Sequence, residues 1–191
     1  MKIGIDISQI VFERTGVANY VRNLVENLVK IDKENEYVLF FSSLRRKLPS
    51  FFINELTNSR VKIREFKFPP TLLDFLWNRL HIFPIEWFIG GVDVFLSSDW
   101  VQPPTVKAKK VTVIHDLIAL KYPEETHPRT EFRLKNLIIS PNIVEIQKRR
   151  LKWVKKECDL IICDSEATKK DAMEILGIEE KRLRVVYPGG T

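Results

Sequence analysis

Two polar residues, His115 and Asp116, follow directly after the apolar, β-branched run of residues 111–114. This pattern is typical of a buried parallel strand that delivers side chains to a ligand crevice at its carboxyl end. Histidine titrates near neutral pH and a neighbouring aspartate can orient it, so this strand end could carry chemistry. The alternative is that the pair only hydrogen-bonds to a turn.

A second candidate segment, residues 8–16, ends in Gly16 and opens a helix. The first amides of a helix are unpaired and its amino end carries a partial positive charge, so a phosphate could dock there. Gly16 would then allow the backbone to approach the phosphate closely. The alternative is that Gly16 merely permits a turn. The glycine patterns of dinucleotide-binding folds and P-loops are absent.

Several other polar residues are better explained by structure than by chemistry. Asp6 lies within the first predicted strand, where a hydrogen bond to a loop amide explains it as well as catalysis does. Ser165 and Glu166 are predicted to be a helix cap and its first turn rather than a nucleophile pair. His81 and His127 are the only other histidines, which is too few for a metal-dependent phosphohydrolase of the His-Asp type. We therefore predict no metal site.

The chain alternates predicted strands and helices, which indicates an α/β, Rossmann-like fold. The expected architecture is a mostly parallel sheet with helices on both faces and a binding site at the carboxyl ends of the strands. Three loops should converge there: residues 9–16, residues 97–104, and the chain from His115 onward. The predicted strands cover 2–8, 37–41, 60–66, 93–97, 111–114, 159–164 and 182–187. The predicted helices cover 17–31, 51–56, two short stretches within 72–88, 142–157 and 166–176, and a polar loop covers 121–130.

Length and charge limit the range of functions. With 191 residues, the chain fits one α/β domain over 1–191, and its net charge of +6 favours an anionic partner. A nucleotide diphosphate, an anionic lipid surface and nucleic acid all meet that description, but no nucleic-acid recognition motif appears. The two cysteines lack companions at zinc-finger spacing, and no signal peptide is evident, so a reduced cytoplasmic setting is expected.

Membrane contact is expected to be peripheral at most. The longest apolar stretches are shorter than the roughly 20 residues that a spanning helix needs. The basic helix over 142–157 is predicted to have a solvated face and a buried stripe. Alternatively, Trp153 and its basic neighbours, with Trp77, Trp87 and Phe88, could lie against anionic lipid headgroups at the inner face of the membrane.

Five motifs in chain order resemble the amino-terminal domain of family 4 retaining glycosyltransferases, which have the GT-B fold. The resemblance covers essentially the whole chain. The motifs are GVANYVRNL from Gly16, DVFLS from Asp93 with Pro103 and Pro104 downstream, VIHDL from Val113, DLIICDSEAT from Asp159, and RVVYPG from Arg184.

This resemblance implies one half of a GT-B fold, in which a Rossmann-like domain chiefly holds the acceptor. A second domain across a cleft would hold most of a nucleotide sugar, the donor substrate. Gly16 would approach the donor diphosphate, His115 would contact the transferred sugar near the reacting centre, and Asp116 would lie on the acceptor side. Members of the family transfer hexoses and similar sugars onto glycans, lipids or small acceptors, usually without a metal.

The chain ends at Thr191, about where such proteins cross into the carboxyl-terminal domain. That domain would supply the basic residues for the diphosphate and the paired glutamates for nucleotide and sugar. We therefore expect the chain alone to lack transferase activity. A further domain or a partner chain would supply the missing donor-binding side of the cleft. The alternative is a catalytically silent module that binds glycans or an anionic membrane surface.

Overall fold

The computed structural model describes residues 1–12, 15–56, 60–123 and 143–189, in which strands and helices alternate as the sequence predicts. The strands are β1 (Lys2–Asp6), β2 (Glu36–Ser42), β3 (Val61–Phe66), β4 (Val94–Ser97), β5 (Lys109–Ile114), β6 (Leu160–Cys163) and β7 (Leu183–Val185). The helices are α1 (Gly16–Ile31), α2 (Ser50–Glu55), α3 (Pro70–Leu73), α4 (Glu86–Ile89), α5 (Ile118–Lys121), α6 (Ile143–Glu157) and α7 (Glu166–Leu176). Shorter helical pieces are Ser8–Val11, a π-helical segment Asp74–Arg79, and Glu180–Arg182.

The seven strands form one sheet in the order β3-β2-β1-β4-β5-β6-β7, and every neighbouring pair is parallel. From β1, the chain first builds the sheet outward through β2 and β3, and then returns to build the other side from β4. The switch point between β1 and β4 is where parallel α/β sheets place their ligands, because loops diverge there and leave a crevice. The expectation of a Rossmann-like parallel sheet is confirmed.

Alternation along β2 shows how both faces are covered. Tyr37, Leu39 and Phe41 belong to a core with α1 and α2, whereas Val38 and Phe40 belong to a second core with residues 70–89. A third cluster packs the β5–β6 side against α6 and α7. A strand buried on both faces is apolar at nearly every position, which explains the unbroken run in β2.

Several predicted boundaries were wrong by a few residues. β1 ends at Asp6 rather than at residue 8, because the carboxylate of Asp6 accepts the amide of Ser8 (2.9 Å) and turns the chain. β6 and β7 are likewise shorter than predicted. Residues 118–121, which include the first residue of the predicted loop, form the helical turn α5. Residues 124–130 of that loop lie outside the described residues, as does residue 142 of the predicted basic helix.

The predicted cap of α7 is confirmed. The Ser165 hydroxyl accepts the amide of Thr168 (3.1 Å), and Gly177 ends the helix in the left-handed conformation with φ of 61°. The part of the chain that the structure describes contains no helix both long and apolar enough to cross a bilayer.

Replacing the cap serine tests the local contribution of α7. We expect Ser165→Ala to lower the free energy of unfolding by about 1 kcal/mol, because one amide at the helix start loses its acceptor. Urea denaturation followed by circular dichroism measures the loss. Lys170→Ala, an exposed change on the same helix, serves as the control and should alter stability by less than about 0.5 kcal/mol. Equal losses in the two variants would contradict a capping role.

Candidate active site

The loops after β1, β4 and β5 meet at the carboxyl edge of the sheet, beside the switch point. Asp6 ends β1 and lies beside Ser98, which follows β4. His115 follows β5, and its ring meets the Tyr20 ring from α1 edge to face, with 4.8 Å between the centroids. As predicted, the three loops leave neighbouring parallel strands at the same edge of the sheet.

His115 is held at this edge by groups from three elements. Its side chain is 14% exposed, and its Nδ1 lies 3.6 Å from Oδ2 of Asp164, a distance for an ion pair rather than a hydrogen bond. Its backbone carbonyl lies 2.9 Å from the Thr168 hydroxyl, which is also 3.0 Å from Oδ1 of Asp164. Within the described residues, Nε2 of His115 makes no hydrogen bond, so that nitrogen is available to a ligand.

The carboxylate that faces His115 is Asp164, not its sequence neighbour Asp116. Asp116 is exposed, and its Oδ1 accepts the amide of Ile118 (3.0 Å), which starts the turn α5. For Asp116 the structure supports the alternative of a hydrogen bond to a turn, because successive residues leaving a strand point in different directions and its side chain turns away from His115. Asp164 reaches the ring because Ile114 of β5 pairs with Cys163 of β6, which brings the next residues of both strands together.

Arg150 of α6 is the main structural support that sequence analysis missed. It is 1% exposed, and its guanidinium binds three groups around the crevice: the Asp99 carboxylate (3.1 Å), the Thr112 hydroxyl (2.8 Å) and the Val113 carbonyl (2.8 Å). Gln147, one turn earlier, donates to the Asp99 carbonyl (2.9 Å). Arg150 therefore ties the loop after β4 to the strand that presents His115.

The position of Arg150 along α6 is the only feature of the sequence that points to this role. Arg150 falls on the stripe of α6 that the apolar residues mark as buried, and a buried arginine requires acceptors. The basic residues beside it predicted a solvated face, and the sequence could not show which acceptors would lie opposite. Burial raises the pKa of Asp99, while the charges of Arg150 and His115 act in the opposite direction.

Asp6 is a second buried carboxylate beneath the crevice, 3% exposed. Burial is the largest influence on its pKa and raises it above the ordinary value, although hydrogen bonds from Ser8 and Ser98 partly oppose the shift. The structural explanation of Asp6 as an acceptor for a loop amide is confirmed by the Ser8 contact.

The raised pKa of Asp6 predicts an effect of pH on stability. The folded state binds the Asp6 proton more tightly than the unfolded chain does, so this carboxyl contributes least stability once the pH has risen above its folded pKa. We expect Asp6→Asn, which keeps an acceptor for Ser8, to be more stable than the parent chain at neutral pH. The advantage should shrink as the pH falls toward the ordinary aspartate range. Urea titrations at several pH values measure this, and a constant or reversed difference would contradict it.

Gly16 is the first residue of α1, and the Thr15 hydroxyl caps the helix by accepting the Ala18 amide (3.2 Å). Among the described glycines, only Gly90 and Gly177 have positive φ, so Gly16 does not serve a left-handed turn. A Cβ added at Gly16 would meet nothing within 4 Å, so the helix start borders open space. The approach of a diphosphate to Gly16 stays a prediction.

The aromatic residues predicted for membrane contact have different environments. Trp77 is fully buried in the core, and Phe88 packs against that core. Trp153 stacks on His81, with 3.6 Å between the ring centroids, and donates to the Asn78 carbonyl (2.8 Å). Trp87 is 70% exposed. The Trp153 ring is therefore engaged within the protein rather than free to enter a bilayer, whereas Trp87 remains accessible. In the described part of the chain, no three His, Cys, Asp or Glu side chains are placed to hold a metal ion.

Comparisons with known proteins agree with the sheet topology. A solved structure of apo UGT2 from Phytolacca americana superposes with a TM-score of 0.51 at 10% sequence identity, over 99% of this chain and 51% of that one. The chain thus spans about half the length of that structure, and its Rossmann-like sheet matches one half of a GT-B fold. No curated protein matches the chain. The sequence model of Glycosyltransferase Family 4 matches residues 14–189, and because this is most of its length, the chain belongs to that family.

Proposed function

We propose that the chain is the acceptor-side domain of a retaining glycosyltransferase, which moves a sugar from a nucleotide sugar to a glycan, lipid or small acceptor. One observation carries the proposal: a partly exposed histidine stands beside the switch point of the sheet, next to Asp164 and Tyr20. Membership of Glycosyltransferase Family 4 supports it.

The three predicted site residues take separate roles in this proposal. Gly16, at the open amino end of α1, would receive the donor diphosphate, where unpaired amides and the helix dipole favour negative charge. His115 would contact the transferred sugar through Nε2, while Nδ1 faces Asp164 and so sets the orientation of the ring. Asp116 would lie on the acceptor side. No metal is required for these contacts, and the nucleotide sugar is a substrate rather than a cofactor.

We further propose that this domain does not catalyse sugar transfer by itself. Gly16 and His115 both lie at the carboxyl edge of one sheet, so the described residues supply only one side of a two-sided donor site. Arg150, the buried cation at this edge, is already bound by Asp99, Thr112 and Val113. A second wall, from a further domain or a partner chain, would complete the donor site in a cytoplasmic enzyme.

The decisive experiment uses the complete natural polypeptide and a panel of nucleotide sugars that vary in base and in sugar. Release of nucleoside diphosphate is measured with and without a mixture of glycan, lipid and small acceptors, and the anomeric configuration of the product is read by NMR. Transfer with retained configuration supports the proposal. Saturable glycan binding without any release of nucleotide would favour the alternative, a catalytically silent binding module.

A further inference from the structure

An exposed apolar patch lies at the end of the sheet opposite to His115. It consists of Leu80, Ile82, Phe83 and Trp87, and we call it the 80–87 patch. Trp87 is 70% exposed, and its ring lies 5.8 Å from that of Phe83. Adjacent contacts place the patch at the amino edge of the strands: Glu86 binds the backbone of residues 106–108 just before β5, and His81 binds Glu157 just before β6.

The loop that carries this patch is held in an unfavourable backbone conformation. His81 and Phe83 have positive φ values of 54° and 62°, which are rare for side chains of this size. Packing offsets that cost: the His81 ring lies 2.8 Å from the Trp77 carbonyl and 3.0 Å from Glu157, and the Phe83 carbonyl accepts the indole N–H of Trp77 (3.0 Å). The structure thus holds Ile82 and Phe83 outward rather than allowing them to collapse onto the core.

The charges around the patch are positive. Lys152 and Lys156 lie over the Trp153 ring, at 5.6 and 4.9 Å, and that ring stacks on His81 inside the patch loop. Lys107 is exposed and belongs to the turn whose amides Glu86, the residue before Trp87, binds. Within the described residues, none of these three lysines forms an ion pair.

Three acidic side chains next to the patch, those of Glu86, Glu157 and Asp159, are already bound. One oxygen of Glu86 accepts three backbone amides, those of Val106, Lys107 and Ala108. Glu157 is held by His81 and Lys110, and Asp159 by Lys109 and the amide of Lys110. The edge therefore offers aromatic and aliphatic side chains beside lysines that have no acidic partner among the described groups, the combination that suits the interface of an anionic bilayer.

We propose that the 80–87 patch docks on an anionic phospholipid surface, with Phe83 and Trp87 among the headgroups and Lys107, Lys152 and Lys156 facing lipid phosphates. This inference does not depend on the transferase proposal. Docking through the amino edge leaves the opposite edge, with Gly16 and His115, clear of the bilayer and open to substrates.

The test uses the 191-residue chain and vesicles of phosphatidylcholine with phosphatidylglycerol, against vesicles of phosphatidylcholine alone. Co-sedimentation at low salt should show binding to the anionic vesicles only, and added salt should weaken it. Trp87→Ser and Phe83→Asn should each reduce the affinity for anionic vesicles on the order of tenfold. Asparagine is chosen at position 83 because it tolerates the left-handed backbone conformation. Replacing Lys107, Lys152 and Lys156 together by Gln should reduce it about a hundredfold, from roughly 1 kcal/mol per cation.

The matched control is Leu44→Ser, because Leu44 is 53% exposed and follows β2 at the opposite, carboxyl edge of the sheet. It should bind vesicles like the parent chain. Vesicle binding that is insensitive to Trp87→Ser and Phe83→Asn overturns the proposal, as does the absence of binding to anionic vesicles. A dimer in solution that Trp87→Ser dissociates would also overturn it and assign the patch to a second copy. No nucleotide sugar enters the assay, so its outcome is separate from that of the transferase test.

Discussion

Replacing His115 by Ala in the complete enzyme is expected to lower turnover by well over tenfold, which corresponds to at least about 1.4 kcal/mol of transition-state stabilisation. The physical reason is position: the ring stands beside the switch point next to Asp164 and Tyr20, and its Nε2 makes no hydrogen bond within the described residues. A contact made mainly in the transition state lowers kcat and kcat/KM together. Steady-state kinetics of nucleotide release and sugar transfer measure both quantities.

The control for this variant is Lys121→Ala, because Lys121 follows in the same loop but pairs at the surface with Asp171 (2.7 Å). Its turnover should match that of the parent enzyme. Asp164→Asn, which removes the charge that faces His115 and keeps the shape, should lower turnover by less than His115→Ala does. Unchanged turnover in a folded His115→Ala enzyme would exclude the proposed contact with the transferred sugar.

Replacing Arg150 by Met is expected to lower the free energy of unfolding by about 3 kcal/mol. This is the largest loss of stability that we predict for a single buried side chain. The substitution removes the ion-pair partner of Asp99 and a donor to the Val113 carbonyl in a buried setting, while the Thr112 hydroxyl keeps only the Ser97 hydroxyl as a donor. Breaking one partner of a buried ion pair costs roughly 3–5 kcal/mol. Asp99 is 26% exposed and can regain some water, so the lower end of that range applies.

Urea denaturation of the 191-residue chain measures this cost, with Lys152→Met as the matched control. Lys152 lies on the same helix but is exposed, and its replacement should change stability by less than about 0.5 kcal/mol. Combining Arg150→Met with Asp99→Asn should recover part of the loss, because the uncompensated charge is then removed. If Arg150→Met cost no more than the control, Arg150 would not be the support that joins the loop after β4 to β5.

Most of the fold could be predicted because its information is local. The β-branched run before His115, the apolar spacing of α1 and the serine and glycine that bound α7 each specify their element within a few residues. Boundaries failed where a side chain bonded to the backbone, as Asp6 does at the end of β1 and Asp116 does at the start of α5. Such bonds depend on geometry that a hydrophobic pattern does not contain.

The sequence by itself determined the alternation of strands and helices, the parallel sheet and the edge at which His115 and Gly16 emerge. The partners of those residues were decided only by tertiary structure. Register between β5 and β6 placed Asp164, rather than Asp116, opposite His115, and the packing of α6 turned Arg150 from a member of a basic helix into a buried support. The physical reason is separation along the chain. Periodicity follows from neighbours two to four residues apart, whereas these contacts join distant residues that meet only once the sheet has formed.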